Sequence, residues 1–260
     1  MKILVIAAHP DDEILGMGGT IKKYTDAKNT VKIVIMATGI FARRSSNLKN
    51  SSNYSMTEKE IKTAELQLKK LRVEAKNAAK IVGVSDVEFL DFPDNEMDTI
   101  SNLQVTKSIE NIIEKFNPEI VYTHSQNDVN IDHKIIHNAT ITATRPKSKT
   151  SIKSVFSFEI PSSTEWNFES SFSPNVFVDI SKELSKKVKA MESYKSELRK
   201  FPHPRSKEGL EAIAKRWGTV SGFNAAEAFC LIRELKTKIW FFKLCWLFWK
   251  SFLEIRNLLN

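Results

Sequence analysis

At 260 residues the chain is long enough for one α/β domain with additions and a sizeable core, and its charged (27%) and apolar (42%) fractions are those of an ordinary soluble protein. Its net charge of +8 is unevenly spread: residues 1–180 carry 22 Lys and Arg against 23 acids, whereas residues 181–260 carry 17 against 8. Two cysteines, Cys230 and Cys245, exclude a disulfide framework or a thiolate metal cluster. The basic third could attract a membrane surface or an anionic substrate. No recognition motif supports a nucleic-acid partner. The N-terminal apolar run is too short for a secretory signal and meets acids where a cleavage site should be, so cytoplasm is the expected compartment.

Ile3 to Ala8 form an apolar, β-branched run with no polar interruption, the pattern of a central strand buried on both faces. Pro10 cannot donate to a ladder and biases His9 away from helix, so the strand ends there. Asp11, Asp12 and Glu13 follow, and Ile14-Leu15-Gly16-Met17-Gly18-Gly19-Thr20-Ile21 reads as a helix entry. Acids at a helix start are favoured by capping and by the macrodipole, which accounts for one or two of them. It leaves unexplained the adjacent histidine and two neighbouring carboxylates that repel unless a cation neutralises them. Imidazole plus carboxylate on a tight turn suits zinc, and a spare carboxylate can act as general base. The carboxyl end of a strand in an open α/β sheet is where ligands bind.

Val31 to Ala37 reads as the second strand, ending at Thr38-Gly39. Residues 40–56 are polar and too long for a plain connection, so they are a candidate substrate loop, with Arg43 and Arg44 at its start. Thr57 and Glu60 carry a capping signal for a helix whose apolar positions are Ile61, Ala64, Leu68, Leu71 and Ala75. A third strand over 87–92 exits into the acidic turn 93–98 that contains Asp94. A helix over roughly 101–116 and a fourth strand over 119–123 complete an alternation that predicts a Rossmann-like, mostly parallel sheet flanked by helices. No Gly-x-Gly-x-x-Gly follows the first strand, which argues against a dinucleotide.

The fourth strand runs into His124-Ser125-Gln126-Asn127-Asp128-Val129-Asn130-Ile131-Asp132-His133-Lys134-Ile135-Ile136-His137. His133 and His137 stand four apart and share a face if helical. Beyond lie strands over 152–159 and 175–179, a basic helix from about Lys182 to Lys200, another near 206–217 and an apolar run over 225–232. Trp166 and Phe168 fall in a loop, where they could stack on a sugar ring or pack back onto the sheet. Phe201-Pro202-His203-Pro204-Arg205-Ser206 is a rigid, basic loop suited to a site rim through His203 and Arg205, though a plain turn explains it equally well. Residues 1–233 are expected to form the domain. Residues 234–260 are expected to form an apolar and basic C-terminal helix, too short between lysines to span a membrane. Its aromatic face suits a membrane interface, a partner or its own domain.

Ala8-His9-Pro10-Asp11-Asp12-Glu13 resembles the signature of the PIG-L/LmbE-like zinc de-N-acetylases, which hydrolyse N-acetyl groups from N-acetylglucosamine-containing glycolipids, glycosides and related amino sugars. Their second motif, His-x-Asp-His, aligns with Asn130-Ile131-Asp132-His133. The resemblance implies Zn2+ (or another divalent metal) held by His9, Asp12 and His133, with Asp11 as general base and Asp132 as a supporting partner or helix cap. His137 lies beyond the motif and outside the metal site. The resemblance also implies substrate contacts from Arg43, Arg44 and Asp94. Asn130 replaces a histidine that many relatives carry. An amide can donate to an oxyanion but cannot titrate, which leaves His124 and His203 as alternative acids. The expected activity is removal of acetyl from an N-acetylated amino sugar, with peripheral contact at the inner face of the membrane as a role for the C-terminal helix. The rival is a non-catalytic sugar- or membrane-binding member of the same fold.

Overall fold

The structure is a computed structural model that describes residues 1–42, 56–146 and 151–236. Arg43, Arg44 and the tail over 238–260 lie outside the described residues. Strands β1 (Lys2–Ala7), β2 (Thr30–Ala37), β3 (Asp86–Phe92), β4 (Ile120–His124) and β5 (Ser154–Phe158) run parallel. β6 (Val176–Asp179) and β7 (Ala226–Glu234) close one edge, with β7 antiparallel to both β5 and β6. The spatial order is β3-β2-β1-β4-β5-β7-β6. The expected α/β class and mostly parallel sheet are therefore present. Chain direction across the sheet reverses at β1, so the crevice between the carboxyl ends of β1 and β4 is a topological switch point.

Helices α1 (Asp12–Asp26), α2 (Glu58–Ile81), α3 (Asn102–Phe116), α4 (Ile131–Ala143), α5 (Leu184–Met191) and α6 (Lys207–Ser221) flank the sheet. The two-residue period of the strands divides the core. Ile3 and Val5 join Ile33 and Ile35 on the face that α1 and α2 cover. Leu4 and Ile6 join Val34 and Met36 on the face that α3 and α4 cover. Both faces are buried, which is why β1 reads as an unbroken apolar run. The helix starts follow capping chemistry: Thr57 and Glu60 form a reciprocal capping box, and Ser101 and Ser206 each accept a backbone N–H from the first turn.

The basic helix expected to reach Lys200 instead ends at Met191. There the N–H groups of Ser193 and Tyr194 bond three residues back, to the carbonyls of Ala190 and Met191. This tighter winding turns Tyr194 and Glu197 inward, where both are buried. The apolar run over 225–232 is a strand, because it pairs on both sides with β5 and β6.

Helix α1 is broken at Met17, whose φ and ψ of −150° and 25° are not helical. Gly16 and Gly19 let the broken helix approach the sheet: a Cβ on Gly16 would stand 2.5 Å from the Phe158 ring, and one on Gly19 2.8 Å from Ile180. A buried ion pair spans the break. Lys187 Nζ donates to the Leu15 carbonyl at 2.8 Å and lies 2.6 Å from Glu227 Oε1. The Glu227 carboxylate accepts the N–H groups of Gly19 (2.9 Å) and Thr20 (2.6 Å). Each half-helix thus finds partners for the backbone groups that the break frees. Removing one partner strands the other charge in the core, so Glu227→Ala should lower stability by about 3–5 kcal/mol. Pairing it with Lys187→Met should recover part of that loss, as read by urea unfolding of the two variants.

Candidate active site and metal-binding cluster

The site lies at the switch point and is built from the turn after β1, the turn after β3 and the β4–α4 connection. Asp11, at the entry to α1, takes φ 109° and makes no side-chain cap bond. Backbone in this region costs a non-glycine residue about 1–3 kcal/mol and is held only by strong surroundings. Here the holder is Glu13. Its Oε2 accepts the Asp11 N–H at 3.2 Å, while the Tyr194 hydroxyl donates to its Oε1. Burial pushes the Glu13 carboxyl up to about 7, against the bond from Tyr194. The three acids therefore divide their work: Glu13 braces the turn, Asp12 accepts the His9 N–H at 2.8 Å, and Asp11 turns toward Arg205 and the cavity.

His9, Asp12 and His133 converge. His9 Nδ1 is 3.4 Å from Asp12 Oδ2, His133 Nε2 is 3.3 Å from the same oxygen, and the two ring nitrogens are 3.4 Å apart. Ligands at about 2.1 Å from a tetrahedral ion are about 3.4 Å from one another, so these atoms fit three corners of such a site. The outer nitrogens are also held. His9 Nε2 bonds Asp132 Oδ2 at 2.9 Å, and His133 Nδ1 lies 3.0 Å from Asp128 Oδ2. A carboxylate behind a ligating histidine fixes the ring and raises its basicity. Asp132 also accepts the N–H groups of Asn95 (2.7 Å) and Met97 (3.1 Å), and Asp128 accepts from Ser163, Thr164 and the Asn130 N–H.

Electrostatics favour a cation here. Burial opposes charge on His9, yet hydrogen bonds to Asp12, Asp132 and Asp94 hold its pKa well above the histidine value. Burial is likewise outweighed at His133, which Asp12 and Asp128 push up to about 9. The negative potential that draws protons onto both rings would equally draw a divalent ion. His9 with Asp94 and Asp132 forms a second convergent set. Asp132 spends its oxygens on two backbone N–H groups and the ring, so this set reads as support for His9.

A cavity of about 190 Å3 opens beside the cluster, lined by His9, Asp11, Asp94, Asn95, Asn130, Glu197 and Arg205 among others. Asp11 is almost fully buried, and its Oδ2 has no hydrogen-bond partner; Arg205 Nη1 lies 3.3 Å away. Burial raises the Asp11 pKa well above the usual carboxylate value, with Arg205 opposing and Asp12 and Glu197 reinforcing. Arg205 is itself locked, 3.1 Å from Glu197 Oε2 and donating from Nε to Ser162 Oγ at 3.0 Å. Asp94 reaches the cavity with Oδ1 3.3 Å from His9 Nε2 and with Oδ2 accepting the Ala42 N–H at 2.9 Å. Ala42 immediately precedes Arg43 and Arg44 in the chain.

Asn130 is the helix cap of α4. Its Oδ1 accepts the Asp132 N–H at 2.9 Å, and its Nδ2 donates to Asn95 Oδ1 at 2.9 Å, leaving one amide hydrogen. Asn130 thus occupies the α4 cap position, while the Asp132 carboxylate goes to His9 and to the Asn95 and Met97 N–H groups. His124 is unsuited to acid catalysis: its Nε2 accepts the Ala8 N–H at 2.7 Å, and burial and His133 hold its pKa well below the usual value. Its ring stacks on His133, with centroids 4.0 Å apart. His137 bonds the His124 carbonyl at 2.8 Å. The expected rim loop splits: Arg205 lines the cavity, whereas His203 accepts the Arg205 N–H and lies against Trp166. Sequence reasoning missed Asp128 and Glu197. Asp128 sits two residues before a helix cap, a readable turn signal; nothing around Glu197 marks it.

The mostly parallel sheet is shared with known proteins. Residues 4–144, more than half the chain, match the family model described as PIG-L: GlcNAc-PI de-N-acetylase, and the chain belongs to that family. It is similar to the diacetylchitobiose deacetylase of Thermococcus kodakarensis, with 30% identity over 233 residues that cover 87% of this chain and 81% of the relative. In fold it resembles the N,N'-diacetylchitobiose deacetylase of Pyrococcus horikoshii (TM-score 0.67, 23% identity, 89% of this chain and 83% of the other). It also resembles teicoplanin deacetylase Orf2 (TM-score 0.69, 16% identity, 92% and 100%).

The cap role of Asn130 has a measurable size. Asn130→Ala should cost about 1 kcal/mol, whereas Asn130→Ser should cost only a fraction of that, because serine caps as well. Thermal melts of the two variants check it; equal losses would mean that the cap bond contributes nothing.

Proposed function

We propose that the protein is a metal-dependent hydrolase that removes the acetyl group from an N-acetylated amino sugar. The observation that carries this reading is the convergence of His9 Nδ1, Asp12 Oδ2 and His133 Nε2 at tetrahedral spacing beside a buried, cavity-lining Asp11. The deacetylase relatives and the family model support it. The donor set of two imidazoles and one carboxylate suits Zn2+ as the resident ion, with another divalent metal as second choice. Once bound, such an ion supplies a Lewis acid that polarises the amide carbonyl and makes water more acidic.

The chain's own residues do the rest. Asp11 takes the proton of the attacking water on its buried carboxylate and later passes a proton to the departing amine. Arg205, itself held by Glu197, sets a guanidinium 3.3 Å from that carboxylate. The free amide hydrogen of Asn130 is a donor for the oxyanion that forms as the carbonyl is attacked. Asp94 presents a carboxylate edge to the sugar hydroxyls, and Arg205 offers the same sugar a donor where Asp11 leaves it free.

Asp11→Asn should keep metal close to stoichiometric and lower turnover by about 100-fold or more, whereas Asp12→Asn should lose the metal. Metal analysis of both purified variants, with amine release measured on N-acetylglucosamine derivatives, tests the assignment. Emptying of the site by Asp11→Asn but not by Asp12→Asn would reverse the two roles. A second test concerns the carboxylate behind His133. Asp128→Asn should weaken metal affinity by about 10–100-fold, the range typical of such outer partners. Competition with a chelator reads that directly, and unchanged affinity would remove Asp128 from the site.

A further inference from the structure

Helix α2, the longest of the described helices, carries an outward face of one sign. Ala64, Leu71, Ala75 and Ala78 bury its inner side in the core. Opposite them, at about 100° per residue, Lys62, Leu66, Lys69, Lys70, Val73 and Lys80 fall within a stripe about 120° wide that holds no acid. All six are exposed, Leu66 by 68% and Val73 by 58%. Among the described residues, none of the four lysines makes an ion pair. The other long helices mix signs where they meet water: α3 pairs Lys107 with Glu110 at 2.7 Å, and α6 exposes Glu208 and Lys215. Helix α5, packed against α2, adds exposed Lys186 and Lys189 and contains no acid.

Positive charge spread along about 27 Å of helix fits an extended anionic surface. The two aliphatics decide which kind. Leu66 and Val73 stand seven residues apart, two turns along one line, with lysines on either side. A nucleic acid or an acidic polymer would meet the lysines and leave both aliphatics in water. A bilayer meets both needs: its phosphates take the ammonium groups on their flexible stems, and the boundary of the acyl region takes the apolar side chains. No arginine lies on the stripe to grip phosphate with a planar fork, the device that nucleic-acid recognition favours. With so few apolar residues the attraction is chiefly electrostatic, so the bilayer must carry anionic lipid.

We propose that the outer face of α2 is a docking surface for an anionic lipid bilayer, which the helix meets lengthwise through its lysines while Leu66 and Val73 enter the headgroup region. β2 and β3 are parallel neighbours, so α2 runs back between them and starts at the carboxyl edge that bears the site. Docking along α2 lays the strands roughly in the plane of the bilayer and leaves that edge open at the side. The proposal stands apart from the deacetylase reading, since it uses no residue of the cavity.

Co-sedimentation of the full chain tests it, with vesicles of phosphatidylcholine alone and of phosphatidylcholine mixed equally with phosphatidylglycerol. Wild type should bind the mixed vesicles, release them in high salt and ignore the neutral ones. Each lysine near such a surface contributes about fivefold in partition. Lys62→Gln combined with Lys69→Gln and Lys70→Gln should therefore weaken binding about 100-fold. Leu66→Gln with Val73→Gln keeps the charge and the helix propensity, and it should still weaken binding about tenfold. Circular dichroism confirms that each variant keeps its fold. Absence of binding by wild type overturns the proposal. Undiminished binding by the lysine variant also overturns it, by assigning the contact to another part of the chain. So does full binding by the Leu66→Gln, Val73→Gln protein, which would leave a purely electrostatic stripe that duplex DNA should occupy as well as lipid.

Discussion

One oxygen organises the site. Asp12 Oδ2 accepts the His9 N–H at 2.8 Å and stands 3.4, 3.3 and 3.6 Å from ring nitrogens of His9, His133 and His124. A single carboxylate can hold three imidazoles at such distances only if each ring is restrained from behind, because a free ring would rotate to share its charge with water. Asp132 restrains His9, Asp128 restrains His133, and the Ala8 N–H restrains His124. Most of these restraints end on backbone groups of the turns after β1, β3 and β4. The metal-type geometry is thus a property of the sheet's carboxyl edge, expressed through three loops at once.

The same edge explains why two adjacent aspartates behave so differently. Asp12 lies among imidazoles, which hold its carboxyl well below the usual range despite burial. Asp11, one residue earlier, is turned away by its left-handed backbone into a cavity whose nearest cation is shared with Glu197. Burial then dominates and moves it the other way. Two carboxylates with opposite environments are what acid–base chemistry next to a metal requires. The φ of 109° at Asp11 produces that divergence, and the Tyr194–Glu13–Asp11 chain of bonds maintains it.

Much of this was legible in the sequence where local rules and tertiary needs agreed. The unbroken run at Ile3–Ala8 could only be a strand buried on both faces, and Thr57 with Glu60 announced a helix that the structure contains. His9 and Asp12 stood out at the exit of the first strand, whereas the choice of His133 came from the resemblance of Asn130-Ile131-Asp132-His133 to the second family motif. Asn130 was readable as an anomaly, but its cap role was not, since Asp132 two residues on suits that position as well and was left open as a supporting partner or helix cap. Glu197 and Tyr194 were illegible for a physical reason: the stretch after Lys182 has helical composition, and tertiary burial of these two side chains ends the helix early. Propensity does not register such an override.

The break in α1 adds a consequence about time. The turn carrying Asp11 and Asp12 belongs to the first half-helix, a little over one turn long and too short to hold itself in water. Its anchor is the pair formed by residues 187 and 227. Partners separated by some 170 to 210 residues meet late, because a long loop must close first. During synthesis the motif emerges well before β7, yet its final shape waits for that antiparallel strand. Until then, the paired acids and the histidine stay a flexible peptide, with little power to trap a stray metal ion.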